Sequence, residues 1–429
     1  NIYHTNVYIM SKINDPHHKI LQNIFPKSNN IQPMSKKSKK MFTSILNGLR
    51  DGEKSWTRNR ENIVSLGIEY METSNFIGRG SYTHIPSEIR NTIEQTHVYQ
   101  AVYSFHINQR VIRVALMQPV KGNSSRKPTA FFQDVIKKMY IWLYLIAPAV
   151  KTGCSDTMNI HVFFTDHKKR FAEVDQTPLG EMHVNTAFTT SCKPSTDVHI
   201  YRKEEWFKVF IHETFHSQGL DFSSMDDSSS DRIILKHFPI TTSRGVRLYE
   251  SYCETWAEIM QNVFIAYFTS SPKDVNSKIL NKLEKLLHKE TLFSIFQCVK
   301  ILNYYNLTYE QLTDIDCPTS KNARRNYHEE SHILSYYIIK SILFSQYNKF
   351  IEWCGENNID GSSYPPYTIN TIRFLQTPAS IEKYTRLAVN ESQNEYLLKN
   401  ISHFENVLPT LSNEHEIIDT LRMTVHELK

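Results

Sequence analysis

Apolar positions recur along the chain with two different periods, and the change between them divides it. In THVYQAVYSFHIN, Ala101, Tyr103, Phe105 and Ile107 fall on one face at period two. In RVIRVALMQ the same holds for Ile112, Val114 and Leu116, and Asn108 with Gln109 between the runs predicts a β-hairpin. FFQDVIKKMYIWLYLI (131–146) predicts a buried helix that stops before Pro148. MNIHVFFTD (158–166) reads as a third strand. VNTAFTTS (184–191) reads as a fourth, short and polar enough for a sheet edge, and DVHIYR (197–202) as a fifth. That fifth strand leads into an apolar helix at WFKVFIHETFH. Beyond residue 270 the period is near 3.6, in NSKILNKLEKLLHK (276–289), HILSYYIIKSILF (332–344) and EHEIIDTLRMTVHEL (414–428). The pattern predicts an α+β chain: a polar, basic and helical region over 1–95, a mixed lobe over 96–270, and a helical C-terminal lobe over 271–429.

Composition narrows this picture only a little. The 429 residues exceed one typical domain, and 40% apolar content is ample for a sizeable core. A net charge of +5 is too modest to imply nucleic acid or membrane. The longest apolar run, MYIWLYLIAPAV, has 12 residues, against the roughly 20 a spanning helix needs, so no membrane span is expected. The opening NIYHTNVYIMSKIND lacks an apolar core of signal length, so no secretory signal is expected within it. Lys36, Lys37, Lys39 and Lys40 read as a solvated helix start or loop, with a nucleic-acid arm as the sharper alternative. Cys154, Cys192, Cys253, Cys298, Cys317 and Cys354 show no paired spacing, which predicts reduced thiols in a cytosol-like compartment.

The chemistry concentrates in HETFH. Residues four apart lie on one helix face, so His212 and His216 can bind one ion together. Glu213 is offset by one residue and can reach a water on that ion as general base. A match of this kind arises by chance in such a chain with odds of roughly 5%, so the motif alone is only suggestive. Its context adds weight. Phe207, Phe210, Ile211 and Phe215 mark a core-facing helix, where histidines need partners. Gly219 follows as a helix cap.

A catalytic zinc needs three protein ligands and an open position. RLYESYCETWAEIMQNVF carries Glu250, Glu254 and Glu258 one turn apart among Tyr252, Trp256, Ile259 and Met260. Three carboxylates in a buried stripe repel each other unless cations or hydrogen bonds neutralise them. One solution makes Glu250 the third metal ligand, while Glu254 supports a ligand histidine or replaces Glu250 as ligand. Cys253, between them, reads as a small buried thiol.

The HETFH helix followed by the Glu250–Glu254 helix resembles the gluzincin branch of the zincin metallopeptidases. The long gap and the text ESYCETWAEIM look most like the lethal-factor-type toxins. VNTAFTTS…HIYRKEEWFKVFIHETFHSQGLDFS also resembles uncharacterised zincin-like proteins of large DNA viruses. The resemblance covers about residues 97–270, and Tyr249 stands where the family usually has Asn before its third ligand. It implies a twisted sheet with an edge strand beside the cleft, one Zn2+ per chain, and hydrolysis of a protein or peptide substrate. An oxyanion stabiliser is also implied, for which Tyr249, His332, Tyr336 and Tyr337 are candidates. The viral likeness implies a cytoplasmic or virion setting and other virion proteins as partners. Two rival readings stand beside the enzyme: a virion or structural protein that keeps the fold without turnover, and a binding module whose basic N-terminal region contacts nucleic acid.

Overall fold

The structure, a computed structural model, describes residues 24–25, 31–70, 84–96, 98–119, 130–174, 177–240, 242, 245–314, 316, 318–359 and 365–428. Helix α1 (Lys36–Asn59) starts at Ser35, whose hydroxyl accepts from Ser38 N and caps it. Lys36, Lys39 and Lys40 are exposed at its start and Lys37 pairs with Glu356 at 2.5 Å, so the basic knot opens a helix. Strand β1 (Val64–Tyr70) follows. Its VSLGIEY alternates cleanly, a signal that reading 1–95 as a polar region passes over. Helix α2 (Ser87–Gln95) then leads to the expected hairpin, β2 (Val98–Ile107) and β3 (Arg110–Pro119), in register Ile107↔Arg110. Asn108 at its turn has φ +54°, a conformation asparagine tolerates well.

Helix α3 (Ala130–Ile146) crosses over to β4 (Thr157–Phe163), which pairs parallel to β3. Strand β5 (Ala187–Thr189) pairs antiparallel with β6 (Ser195–Ile200), which runs parallel to β4. The sheet order is β1-β2-β3-β4-β6-β5, so β5 is an edge strand as its polarity predicts. Period two sorts the faces. Val114, Leu116, Ile160, Val162, Val198 and Ile200 face the main core, while Ala115, Met117, Phe163 and Tyr201 form a smaller cluster with Ile89 and Ile93 of α2.

On the main-core side lie α4 (Trp206–Ser217), α5 (Leu248–Phe268), α6 (Asn276–Tyr304), a π-helical stretch (Leu334–Ile339) and α7 (Lys340–Ser345). The architecture is α+β, with a mixed sheet followed by a helical region. Among the described residues no helix is long and apolar enough to cross a membrane.

Two expectations fail. The helix expected over 414–428 is limited to His415–Ile418. Beyond it the backbone is irregular and largely buried, because buried side chains take its polar groups. Lys300 donates to the carbonyls of Ile417 and Thr420, Gln297 to that of Arg422 and Gln261 to that of His426. Glu205 accepts from the amides of Met423 and Thr424, and Glu290 from that of Val425. Side-chain partners thus replace helical hydrogen bonds, and apolar periodicity cannot report them.

The thiols are not all reduced either: Cys154 and Cys192 form a disulfide. Each cysteine stands three residues before a strand, and Thr157 pairs with Ser195 in the parallel β4–β6 register. The register therefore brings together two cysteines 38 positions apart. No local spacing could show it. Cys253, Cys298 and Cys354 are free and buried, and Cys317 lies outside the described residues. Disulfides persist in oxidising surroundings, which removes this ground for expecting a cytosol-like compartment.

Candidate metal centre

Helix α4 is buried along its whole length. Phe207, Phe210, Ile211 and Phe215 pack into the core, and Trp142 of α3 donates to Thr214 Oγ1 at 2.8 Å. The helix ends at Ser217, and the chain turns away at Gly219, whose φ of +66° favours glycine and whose Cβ, if present, would lie 2.9 Å from Cys154 Sγ. Helix α5 runs antiparallel against α4, so the stripe Lys208, His212, His216 faces the stripe Glu258, Glu254, Glu250.

Where the stripes meet, three donor atoms converge. His212 Nε2 lies 3.0 Å from His216 Nε2 and 3.2 Å from Glu250 Oε2, and His216 Nε2 lies 3.3 Å from that same oxygen. Four ligands at zinc bond lengths of about 2.0–2.1 Å in a tetrahedron sit about 3.3–3.4 Å apart, so the triangle has nearly the right size. Glu250 Oε2 is buried with only these two imidazole nitrogens beside it and no well-aligned hydrogen bond, so its charge needs their protons or a cation to balance it. The residues fit a metal ion: two imidazoles and one carboxylate, 6–11% exposed, on one small triangle.

The far side of each imidazole is also held. His216 Nδ1 hydrogen-bonds Asp221 Oδ2, while Asp221 Oδ1 accepts from Ser223 N and Oγ at 3.2 and 2.9 Å. His212 Nδ1 lies 3.0 Å from Glu254 Oε1, within ion-pair range although its N–H is not well aligned for a hydrogen bond. Lysines answer the repulsion in the acidic stripe. Lys208 Nζ donates to both oxygens of Glu254 at 3.0 and 2.8 Å, and Lys340 Nζ lies 2.7 Å from Glu258 Oε1. Glu250 alone of the three has no lysine, and it is the one in the triangle.

The electrostatics without a metal follow. Burial alone would lower His212, but Glu254 and Glu250 outweigh it and hold the ring up at about 9. For His216 burial is outweighed by Cys253, Asp221 and Glu250, and its pKa stands well above the usual imidazole range. Burial would raise Glu250, yet the two histidines push it well below the carboxylate range. The metal-free pocket recruits protons where a cation would sit.

Glu213 lies beside this cluster, 7% exposed, and burial raises its pKa against the pull of His212 and His216. Of the four oxyanion candidates, Tyr249 stacks edge-on to His216 with ring centroids 5.9 Å apart. Tyr336, on the π-helical stretch, is 6.3 Å from the His212 ring and 6.2 Å from that of His332. Burial together with Glu250, Glu254 and Glu213 pushes the Tyr336 hydroxyl well above its usual pKa, keeping it a proton donor. Tyr337 faces elsewhere: its hydroxyl donates to Leu421 O at 2.6 Å. A one-residue step on the helix turns it away from the cluster.

Sequence reasoning misses Asp221, Lys208 and Lys340. The signal for Asp221 was an acid two residues past the capping glycine, and that for Lys208 a lysine one turn before His212 in an apolar helix. Lys340 comes from a distant segment and carries no such signal. Comparisons of the chain with protein-family models, with curated proteins and with solved structures each find no match. The site rests on its own geometry.

Proposed function

We propose that the chain is a zinc-dependent metallopeptidase of the zincin type, with His212, His216 and Glu250 as metal ligands and Glu213 as general base. The observation that carries this is the His212–His216–Glu250 triangle with Glu213 one residue from the first ligand. A general base has no use in a purely structural metal site. Zinc prefers this mixed N/O donor set and, when bound, supplies a Lewis acid that acidifies water and polarises a carbonyl.

The chain's own groups would do the rest. Glu213 takes the proton of the attacking water and hands it to the leaving amine. Tyr336 and Tyr249, whose rings lie beside His212 and His216, would donate their hydroxyls to the developing oxyanion. Asp221 and Glu254 keep the Nδ1 protons on their histidines, so that both Nε2 lone pairs face the metal. Strand β5, packed beside α4 with one edge unpaired in the sheet, offers main-chain hydrogen bonds to an extended peptide.

The test pairs metal content with turnover. Purified protein is expected to hold about one zinc per chain, lost in His212→Ala and retained in Glu213→Gln. A proteome-derived peptide library is expected to be cut by wild type and not by Glu213→Gln. Identical peptide profiles for the two would favour a structural protein that keeps the site without turnover. Absence of stoichiometric metal would remove both readings.

A further inference from the structure

We infer that Lys208 is a positioning residue of the metal centre: by fixing both oxygens of Glu254, it sets the His212 ring for metal binding. This rests on the metal-centre reading above and extends it to a residue that touches no ligand.

Lys208 is fully buried, as is the helix around it. An ammonium without a partner in such a place is very costly, and replacing a buried ion pair by apolar groups is often neutral or stabilising. Packing alone therefore does not explain a lysine here. Its three protons go to Glu254 Oε1 at 3.0 Å, Glu254 Oε2 at 2.8 Å and Met423 Sδ at 3.4 Å. Glu254, 4% exposed, is thereby held at both oxygens, and Oε1 is the one that lies 3.0 Å from His212 Nδ1. Without the lysine, His212 Nδ1 is the one remaining group among the described residues placed beside the carboxylate, at a single oxygen, and the carboxylate is free to turn about that contact.

The ladder geometry makes the role specific. Lys208 is one turn before His212 on α4, and Glu254 is one turn after Glu250 on α5. The pair forms the rung next to the donor triangle. The neighbouring lysine, Lys340, engages Glu258 one turn further away and reaches no histidine through it. Lys340 is therefore the internal control: it is equally buried and ion-paired to a glutamate of the same stripe, and that glutamate touches no histidine.

Lys208→Met, Glu254→Gln and the double variant would be compared with wild type and with Lys340→Met. Zinc affinity would be read by competition with a chromophoric chelator, and the cobalt(II)-loaded d–d spectrum would report ligand geometry. Lys208→Met is expected to weaken zinc about 10–100-fold and to shift the cobalt spectrum. Glu254→Gln should do the same, and the double variant no more than either alone, because the lysine acts only through Glu254. Lys340→Met should lower thermal stability and leave affinity and spectrum unchanged. Should Lys208→Met not fold, the double variant removes the uncompensated charge, and affinity equal to that of Glu254→Gln would support the role. A folded Lys208→Met protein with wild-type affinity and spectrum would overturn it, as would additive losses in the double variant. Wild-type protein without zinc affinity would instead bring down the metal-centre reading itself.

Discussion

Asp221→Asn changes one atom type at the back of the candidate metal centre and, on the proposed function, is expected to weaken zinc binding sharply while leaving the fold in place. Asp221 is 1% exposed, accepts from Ser223 N and Oγ through Oδ1, and hydrogen-bonds His216 Nδ1 through Oδ2. As a carboxylate it can only accept, so His216 carries its proton on Nδ1 and presents a lone pair at Nε2. An asparagine that keeps its oxygen on Ser223 points its NH2 at Nδ1. The imidazole then prefers the other tautomer, with a hydrogen on Nε2 directed at Glu250 and the metal position. Turning the amide over restores the tautomer but sets NH2 against the Ser223 amide. Either way the charge-assisted bond is lost, about 1.5–3 kcal/mol, which corresponds to roughly 10–100-fold in affinity. Chelator competition at fixed pH gives the affinity, and circular dichroism with thermal melting of the metal-free protein checks the fold. If the Asn variant bound zinc within twofold of wild type, Asp221 would not set the tautomer and His216 would be held by packing alone.

Metal uptake should depend on pH in a stated direction. His212 is held up at about 9 against an ordinary 6.5, so its protonated form contributes stability to the metal-free chain that is complete below 6.5 and lost as pH rises through 9. Zinc must displace that proton and the one on His216, which is also held up, so affinity should fall at least about tenfold per unit on acidification below 9; chelator competition between pH 6 and 9 with a flat profile would refute this. The disulfide clamps the loops that cap α4: Cys192 N donates to His216 O, Ser155 Oγ to Ser217 O and Lys151 N to Gln218 O. From its separation of 38 residues, loss of the crosslink in Cys192→Ser is expected to lower stability by up to about 4 kcal/mol. Zinc should also dissociate faster, and an unchanged melting temperature and off-rate would sink that expectation. Gly219→Ala places a Cβ 2.9 Å from Cys154 Sγ at φ +66°, and a loss of about 1–3 kcal/mol in denaturant unfolding is expected.

Much of this was legible where the signal is local. Period two located β2 and β3, short apolar or polar runs marked β4, β5 and β6 with β5 as an edge, and HETFH placed two histidines on one helical face. The three glutamates of α5 were legible as a problem, since buried like charges demand an answer. Their separate fates were not legible, because Lys208, Lys340 and the histidines reach them from other elements. The C-terminal segment misled for a related reason. Its apolar spacing is helical, but Lys300, Gln297, Gln261 and Glu290 offer its backbone better partners than its own next turn.

By itself, then, the sequence determined the α+β order of elements, the buried character of α4 and α5, and which side chains could serve a metal. Periodicity and i,i+4 spacing are properties of neighbours along the chain. Only the tertiary structure decided that Glu250 rather than Glu254 completes the triangle, because the antiparallel register of α4 and α5 sets which turn faces which. It also decided that Asp221 backs His216 and that Cys154 meets Cys192, the latter because β4 and β6 pair in parallel. A contact between distant segments is set by packing, and no single stretch of chain contains it.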